Sequence, residues 1–351
     1  MFFNLTRRLK ISHRLFGGFA VLALLLTAVV GTTVWKTAEI QKSTDLIVDL
    51  RMPTASASAR MINNINGSLA ALRGYMLTGD PKFKNERAIV WKNIAKTLKD
   101  LDGYSKDWAN SENVRKLQSF KKTLAELKRA QDEVEKIANS KAEQPAQLIL
   151  VNEATPLAQD ILQSITTMIN DELENAQKYR SAFVERSRYL GYMTDFRRSF
   201  TGGFSHIKAF LLTGERKFVN KFSVFWETNR KRFASLKKIS TKLSLKQQVL
   251  LKKLITQRSE FAPLPPRMFA IRTSQIWNMA NYIMVSEAIP RSEKLLTILG
   301  GERGADGIRR GGMVAKQLEL LKAEANNVNT ETKELLLIEQ VLLVVGILFS
   351  A

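Results

Sequence analysis

Leu77-Thr78-Gly79-Asp80-Pro81-Lys82-Phe83 and Leu212-Thr213-Gly214-Glu215-Arg216-Lys217-Phe218 are one turn written twice. An internal repeat constrains a fold more than any single element does. Carried outward in register, Met76 faces Leu211, Tyr75 faces Phe210, Arg73 faces Lys208, Asn85 faces Asn220 and Trp91 faces Trp226. Further on, Asn152-Glu153-Ala154-Thr155-Pro156 recurs as Ser286-Glu287-Ala288-Ile289-Pro290. Each turn has a mechanism: the glycine takes the left-handed conformation that ends a helix, Asp80 caps the next one and Pro81 fits its first turn. Glu215 and Arg216 make the second restart weaker.

The flanks of the turns are helical. Ile62, Ile65, Leu69, Leu72 and Met76 step by three and four, which makes one buried stripe. In the second copy Phe196, Phe200, Phe204, Ile207 and Leu211 stand where Met61, Ile65, Leu69, Leu72 and Met76 stand in the first. Further helices are expected from Pro81 to Leu101, from about Ser111 past Val134, and from Pro145 to about Tyr189 with a kink at Pro156. Others follow from Lys217 to Ser240, Leu245 to Phe261, and Met268 to Leu299. Gly202-Gly203 weakens its helix by roughly 1 kcal/mol per glycine relative to alanine, so a bend or break is expected there. Pro263-Leu264-Pro265-Pro266 is a stop, and the glycines between 300 and 312 read as the loosest loop. Strand signals are nearly absent.

The ends are apolar. Leu15 to Trp35 carries no charge and follows Arg7, Arg8, Lys10 and Arg14. About 20 such residues cross a bilayer, and the basic flank places the N-terminus in the cytoplasm. No small-x-small cleavage site follows, so the run reads as an uncleaved anchor rather than a signal peptide. Leu335 to Phe349 reads as the start of a second anchor, since a soluble helix ending this way would expose a large apolar patch.

The expected division is therefore a basic cytoplasmic stretch 1–14, a first transmembrane helix 15–35, helical modules at 36–190 and 191–333, and a second transmembrane helix beginning at 334–351. The fold class is all-α, with two four-helix-bundle-like modules from an internal duplication. A continuous helix over residues 145–212 would run ~100 Å, against ~60 Å from Lys36 to Leu77. The chain must bend, and the expected arrangement is stacked bundles rather than side-by-side bundles with a turn near Arg186 to Gly191.

Composition narrows the chemistry. The 351 residues contain no cysteine and two histidines, His13 and His206, which leaves no thiolate chemistry, histidine metal cluster or His-containing triad within one chain. No paired-carboxylate or phosphate-cradling motif stands out either, so neither an enzyme, a metal site nor a cofactor is expected. The formal charge of +21 and pI near 10.1 call for an anionic partner. The anchors argue against nucleic acid.

Lys10-Ile11-Ser12-His13-Arg14-Leu15-Phe16-Gly17-Gly18-Phe19, followed by one anchor and a helical loop, resembles the N-terminal half of bacterial chemoreceptors and sensor kinases. Leu72-Arg73-Gly74-Tyr75-Met76-Leu77-Thr78-Gly79-Asp80-Pro81-Lys82-Phe83 resembles the helical sensor domain called CHASE3. Two such units in one loop are similar to the helical bimodular sensor domain. The resemblance implies an inner-membrane receptor, a homodimer with most of its chain periplasmic, that binds a small organic acid or meets a periplasmic binding protein. The family's cytoplasmic output regions have no counterpart in these residues.

A carboxylate ligand needs arginine or lysine at the edge of a buried stripe. Arg73 and Lys208 meet that description at equivalent places in the repeat. Arg60, Arg197 and Arg198 are further candidates, with Arg186 and Arg188 on a linked helix. Trp91, Trp226 and Trp277 read as core more readily than as pocket. The basic run Asn229-Arg230-Lys231-Arg232, with Lys237-Lys238, Lys242, Lys246 and Lys252-Lys253, reads as an exposed face; were the second bundle next to the membrane, it would rest on anionic headgroups.

Overall fold

The computed structural model describes residues 10–108, 111–174 and 183–350. It is all-α apart from one small hairpin. Helix α1 (Ile11–Asp45) leads through a π-helical turn, Leu46–Arg51, into α2 (Met52–Thr78), followed by α3 (Pro81–Tyr104) and α4 (Ser111–Ile137). A second series begins with α5 (Pro145–Ile149) and, after a π turn at Leu150–Ala154, α6 (Thr155–Glu174). Next come α7 (Phe183–Thr213), α8 (Arg216–Lys238), α9 (Leu245–Phe261), α10 (Leu264–Thr273) and α11 (Met279–Ile283). A third π turn, Met284–Ala288, precedes α12 (Ile289–Gly300), β1 (Gly301–Arg303), β2 (Arg309–Gly311) and α13 (Met313–Ser350).

Both repeated turns form as their residues dictate. Gly79 and Gly214 have φ of 71° and 72°, and their amides close onto the carbonyls of Tyr75 (2.8 Å) and Phe210 (2.7 Å). The threonine hydroxyls accept from the amides two residues on, Asp80 (3.1 Å) and Glu215 (3.2 Å). Glu215 makes no side-chain cap, in keeping with its weaker restart signal.

The prolines explain the three π turns. Pro53, Pro156 and Pro290 each stand two residues beyond one of them. A proline inside a helix has no amide for the carbonyl four residues back and collides with it, and here those carbonyls, of Asp49, Asn152 and Ser286, lie within the widened turns. The kink expected at Pro156 is thus a local widening.

Other expectations are corrected. Helix α7 runs unbroken through Gly202-Gly203, because glycine there admits α8: a Cβ on Gly202 would lie 2.5 Å from the Phe225 ring. No turn occurs at Arg186 to Gly191, which is inside α7; residues 175–182, where the expected 145–189 helix continues, lie outside the described residues. The prolines after α9 stop it but also start α10, occupying its first turn. The expected helix Met268 to Leu299 is divided into α10, a 3-10 turn, α11, the π turn and α12. The glycine-rich loop is a two-stranded antiparallel hairpin pairing Gly301 with Gly311. Gly301 has φ 87°, and a Cβ there would meet the Arg310 carbonyl at 1.7 Å.

Contacts divide the chain into two compact units, one from residues 1–71, 82–128 and 290–351, the other from 72–81 and 129–289. Neither unit begins or ends at 190/191. The first unit combines most of the first hairpin and α4 with α12 and α13 from the end of the chain, so neither unit is a continuous copy of the repeat. Met61, Ile65 and Leu69 of the first stripe are buried in it, along with Ile94, Leu101, Leu117, Phe120, Leu124, Leu295 and Leu299.

In the same unit α1 packs antiparallel to α13, with Lys36 bonded to Glu334 (3.2 Å) and Thr33 to Glu339 (3.1 Å). The apolar part of α1 is exposed and, among the described residues, belongs to the one helix long and apolar enough to cross a membrane.

The second unit packs α7 along α8 and α6 on α9 and α7. Its core is aromatic: Phe196, Phe200, Phe210, Phe222 and Phe261 are buried, with Trp226 and Phe269 against them. The basic run of α8 and α9 belongs to this unit, whereas α1 and α13 belong to the other.

Candidate functional site

In the first unit, two polar stripes form a groove. Helix α2 presents Arg60, Asn63 and Asn64, and α3 presents Asn93, Lys96, Thr97 and Asp100. Spacings of three, four and seven put each set on one helix face. The groove encloses about 600 Å³, within the range of small-ligand sites. Arg60 donates to Ser56 Oγ at 2.8 Å and pairs with Asp100 at 3.7 Å, its side chain half exposed. Two cations against one carboxylate, edged by three amides, suit a small anion whose other end also forms hydrogen bonds.

The other predicted cations are not gathered there. Arg73 and Lys208 are both exposed; Lys208 lies over the Phe204 ring at 4.6 Å, and no ion pair of Arg73 occurs among the described residues. Each follows a core residue and so points off the stripe, which is what i+1 on a helix does. Arg198 pairs with Asp195 (3.0 Å) on an exposed face beside exposed Arg197. Arg186 is committed to a buried carboxylate, Glu172.

Of the tryptophans, Trp226 is packed in the aromatic core, Trp91 lies under Lys128 and Trp277 lines a surface hollow. His206 sits between the rings of Phe218 and Phe225. Arg258, which no sequence motif marks, lies over the rings of Trp226 (4.4 Å) and Phe233 (4.7 Å) and donates to Asn229 Oδ1 (3.0 Å). Burial, then the nearby Arg230, holds its pKa below the usual arginine value. Among the described residues no cluster of His, Asp and Glu could hold a metal.

The signal for the α2–α3 groove was present in the sequence as asparagines at helical spacing opposite the apolar stripe, but it needed the pairing of two helices to acquire meaning.

Comparison with protein families matches residues 8–182 to a four helix bundle sensory module for signal transduction. No curated protein and no solved structure matches the chain. The matched stretch contains α1, the first repeated turn and the whole polar groove, and over it the chain is similar to the sensory bundles of signal-transduction proteins, the coarse class that the resemblance of Lys10–Phe19 and Leu72–Phe83 implied.

Proposed function

We propose that the chain is the sensing region of a methyl-accepting chemoreceptor, a homodimer in the inner membrane with residues 36–333 on the periplasmic side. It binds a small organic acid between bundle helices, and the ligand displaces one helix against another. The observation that carries this reading is the groove around Arg60, which lies inside the stretch similar to sensory modules and combines cations with amide donors. A ligand can shift a two-state element only by contacting the states unequally. An anion bridging Arg60 and Lys96 does so, because it joins α2 to α3.

Calorimetry of the full chain in nanodiscs with succinate and citrate tests this. Arg60→Gln is expected to weaken binding at least tenfold, the scale of one hydrogen bond to a charged group, about 1.5–3 kcal/mol. Absence of heat from any di- or tricarboxylate would remove the small-acid reading.

The α8–α9 hairpin favours a second one. From Arg216 to Arg258 it carries thirteen lysines and arginines against one acidic residue, Glu227. Such a concentration of positive charge suits an acidic periplasmic protein. Salt-sensitive co-purification of one, without small-acid binding, would select that reading.

A further inference from the structure

The second unit contains a hollow of about 580 Å³ that the function proposed above does not use. It is formed where the chain turns between α10 and α11. Arg272, Trp277, Asn281, Tyr282, Val285 and Ser286 are the residues that give it chemistry.

Arg272 is held on two sides. Its Nε donates to the Leu211 carbonyl at 3.0 Å, and its guanidinium lies 4.6 Å from the centre of the Trp277 ring. The flank is Gly214, where a Cβ would come within 2.9 Å of Nη2. Among the described residues no carboxylate pairs with Arg272, and neither terminal nitrogen has a partner. A guanidinium fixed at Nε and stacked on a ring presents its remaining donors in a set direction, at little further entropic cost when an anion arrives.

The repeat supplies an internal control. The same succession of 3-10 turn, short helix, π turn and helix occurs at 141–174 and at 275–300. With Ser140 opposite Ser274 and Pro156 opposite Pro290, Arg272 corresponds to Ala138, Trp277 to Glu143 and Tyr282 to Leu148. The first copy builds this succession without a cation or ring at those places. Its carbonyl cap comes from Asn139, whose Nδ2 donates to Tyr75 O at 2.8 Å. Capping a carbonyl takes one neutral donor. An arginine, a tryptophan and a tyrosine around one hollow exceed what the turn requires.

We infer that this hollow is a binding site for an aromatic monocarboxylate, distinct from the groove around Arg60. One guanidinium among the lining residues matches one carboxylate, and a second negative charge would have no cation to meet. Trp277, 38% exposed, and Tyr282 offer ring faces, while Asn281 and Ser286 form a polar rim for ring substituents.

The probe is benzoate, with benzamide as its uncharged counterpart and succinate as the dianion, titrated into the full chain in nanodiscs. Benzoate is expected to bind and benzamide to bind at least tenfold more weakly. Arg272→Gln is expected to weaken benzoate at least tenfold. Val285→Trp, which fills the hollow from an exposed position and leaves Arg272 in place, is expected to abolish binding while leaving thermal unfolding unchanged. Arg60→Gln is expected to leave benzoate within twofold, so loss of the succinate site and loss of this one are read separately. No benzoate binding by the wild-type chain, or binding unchanged in both Arg272→Gln and Val285→Trp, would overturn the inference. Equal loss in Arg60→Gln would overturn its independence from the groove.

Discussion

Arg186→Met is expected to destabilise the second unit by about 3–5 kcal/mol, the cost of leaving a buried carboxylate without its partner. Glu172 is 4% exposed and accepts a bidentate pair from Arg186, Nε at 2.6 Å and Nη2 at 2.5 Å. Gln247, fully buried, adds a bond to the same carboxylate at 2.9 Å and another to the Met168 carbonyl at 3.0 Å. Arg186 also donates to the Lys242 carbonyl, so one side chain ties α6 and α7 to the turn after α8. The double replacement Arg186→Met with Glu172→Met should recover much of the loss, because a well-packed apolar pair avoids the desolvation of both charges. Urea unfolding followed by tryptophan fluorescence measures both. A single variant as stable as the parent would show that Glu172 reaches water.

Phe200→Ala is expected to cost about 3–5 kcal/mol through the cavity it leaves. The side chain is 1% exposed and meets Phe196, Trp226 and Phe261 at centroid distances of 6.2, 6.4 and 5.0 Å. Phe261 and Trp226 also touch each other, so removing the shared ring loosens three elements: α7, α8 and α9. Phe200→Leu should cost less than half as much, since leucine refills part of the volume. The equivalent position in the first copy is Ile65, also fully buried. This position of the duplicated stripe has therefore kept its burial and changed its filling, and thermal unfolding of the two phenylalanine variants measures how far the second core depends on rings.

The turns and stripes were legible because they are local: Gly79 and Gly214 announce themselves by a conformation glycine tolerates best, and Ile65 or Phe200 by a spacing of three and four. What stayed hidden depends on residues far apart in sequence. Gly202 reads as a weak point in the sequence alone, whereas Phe225 of the neighbouring helix fills the space beside it. The 300–312 glycines looked loose because nothing in their composition pairs Gly301 with Gly311. Arg73 and Lys208 share a place in the repeat, but a residue directly after a core position turns outward, whereas Arg60 gains its groove from α3. The two compact units do not follow the order of the chain for the same reason: the helices completing the first unit come from both ends of the chain.

The proposed sensing role rests on helix displacement reaching the α1–α13 pair. Since the chain has no cysteine, Thr37→Cys and Lys333→Cys, both exposed, can carry spin labels without background. Pulsed dipolar spectroscopy in nanodiscs should show the inter-label distance shifting by about 1–2 Å on saturation with succinate, the scale of helix shifts in switching proteins. The shift should vanish in Arg60→Gln. Identical distance distributions with and without bound succinate would contradict the account.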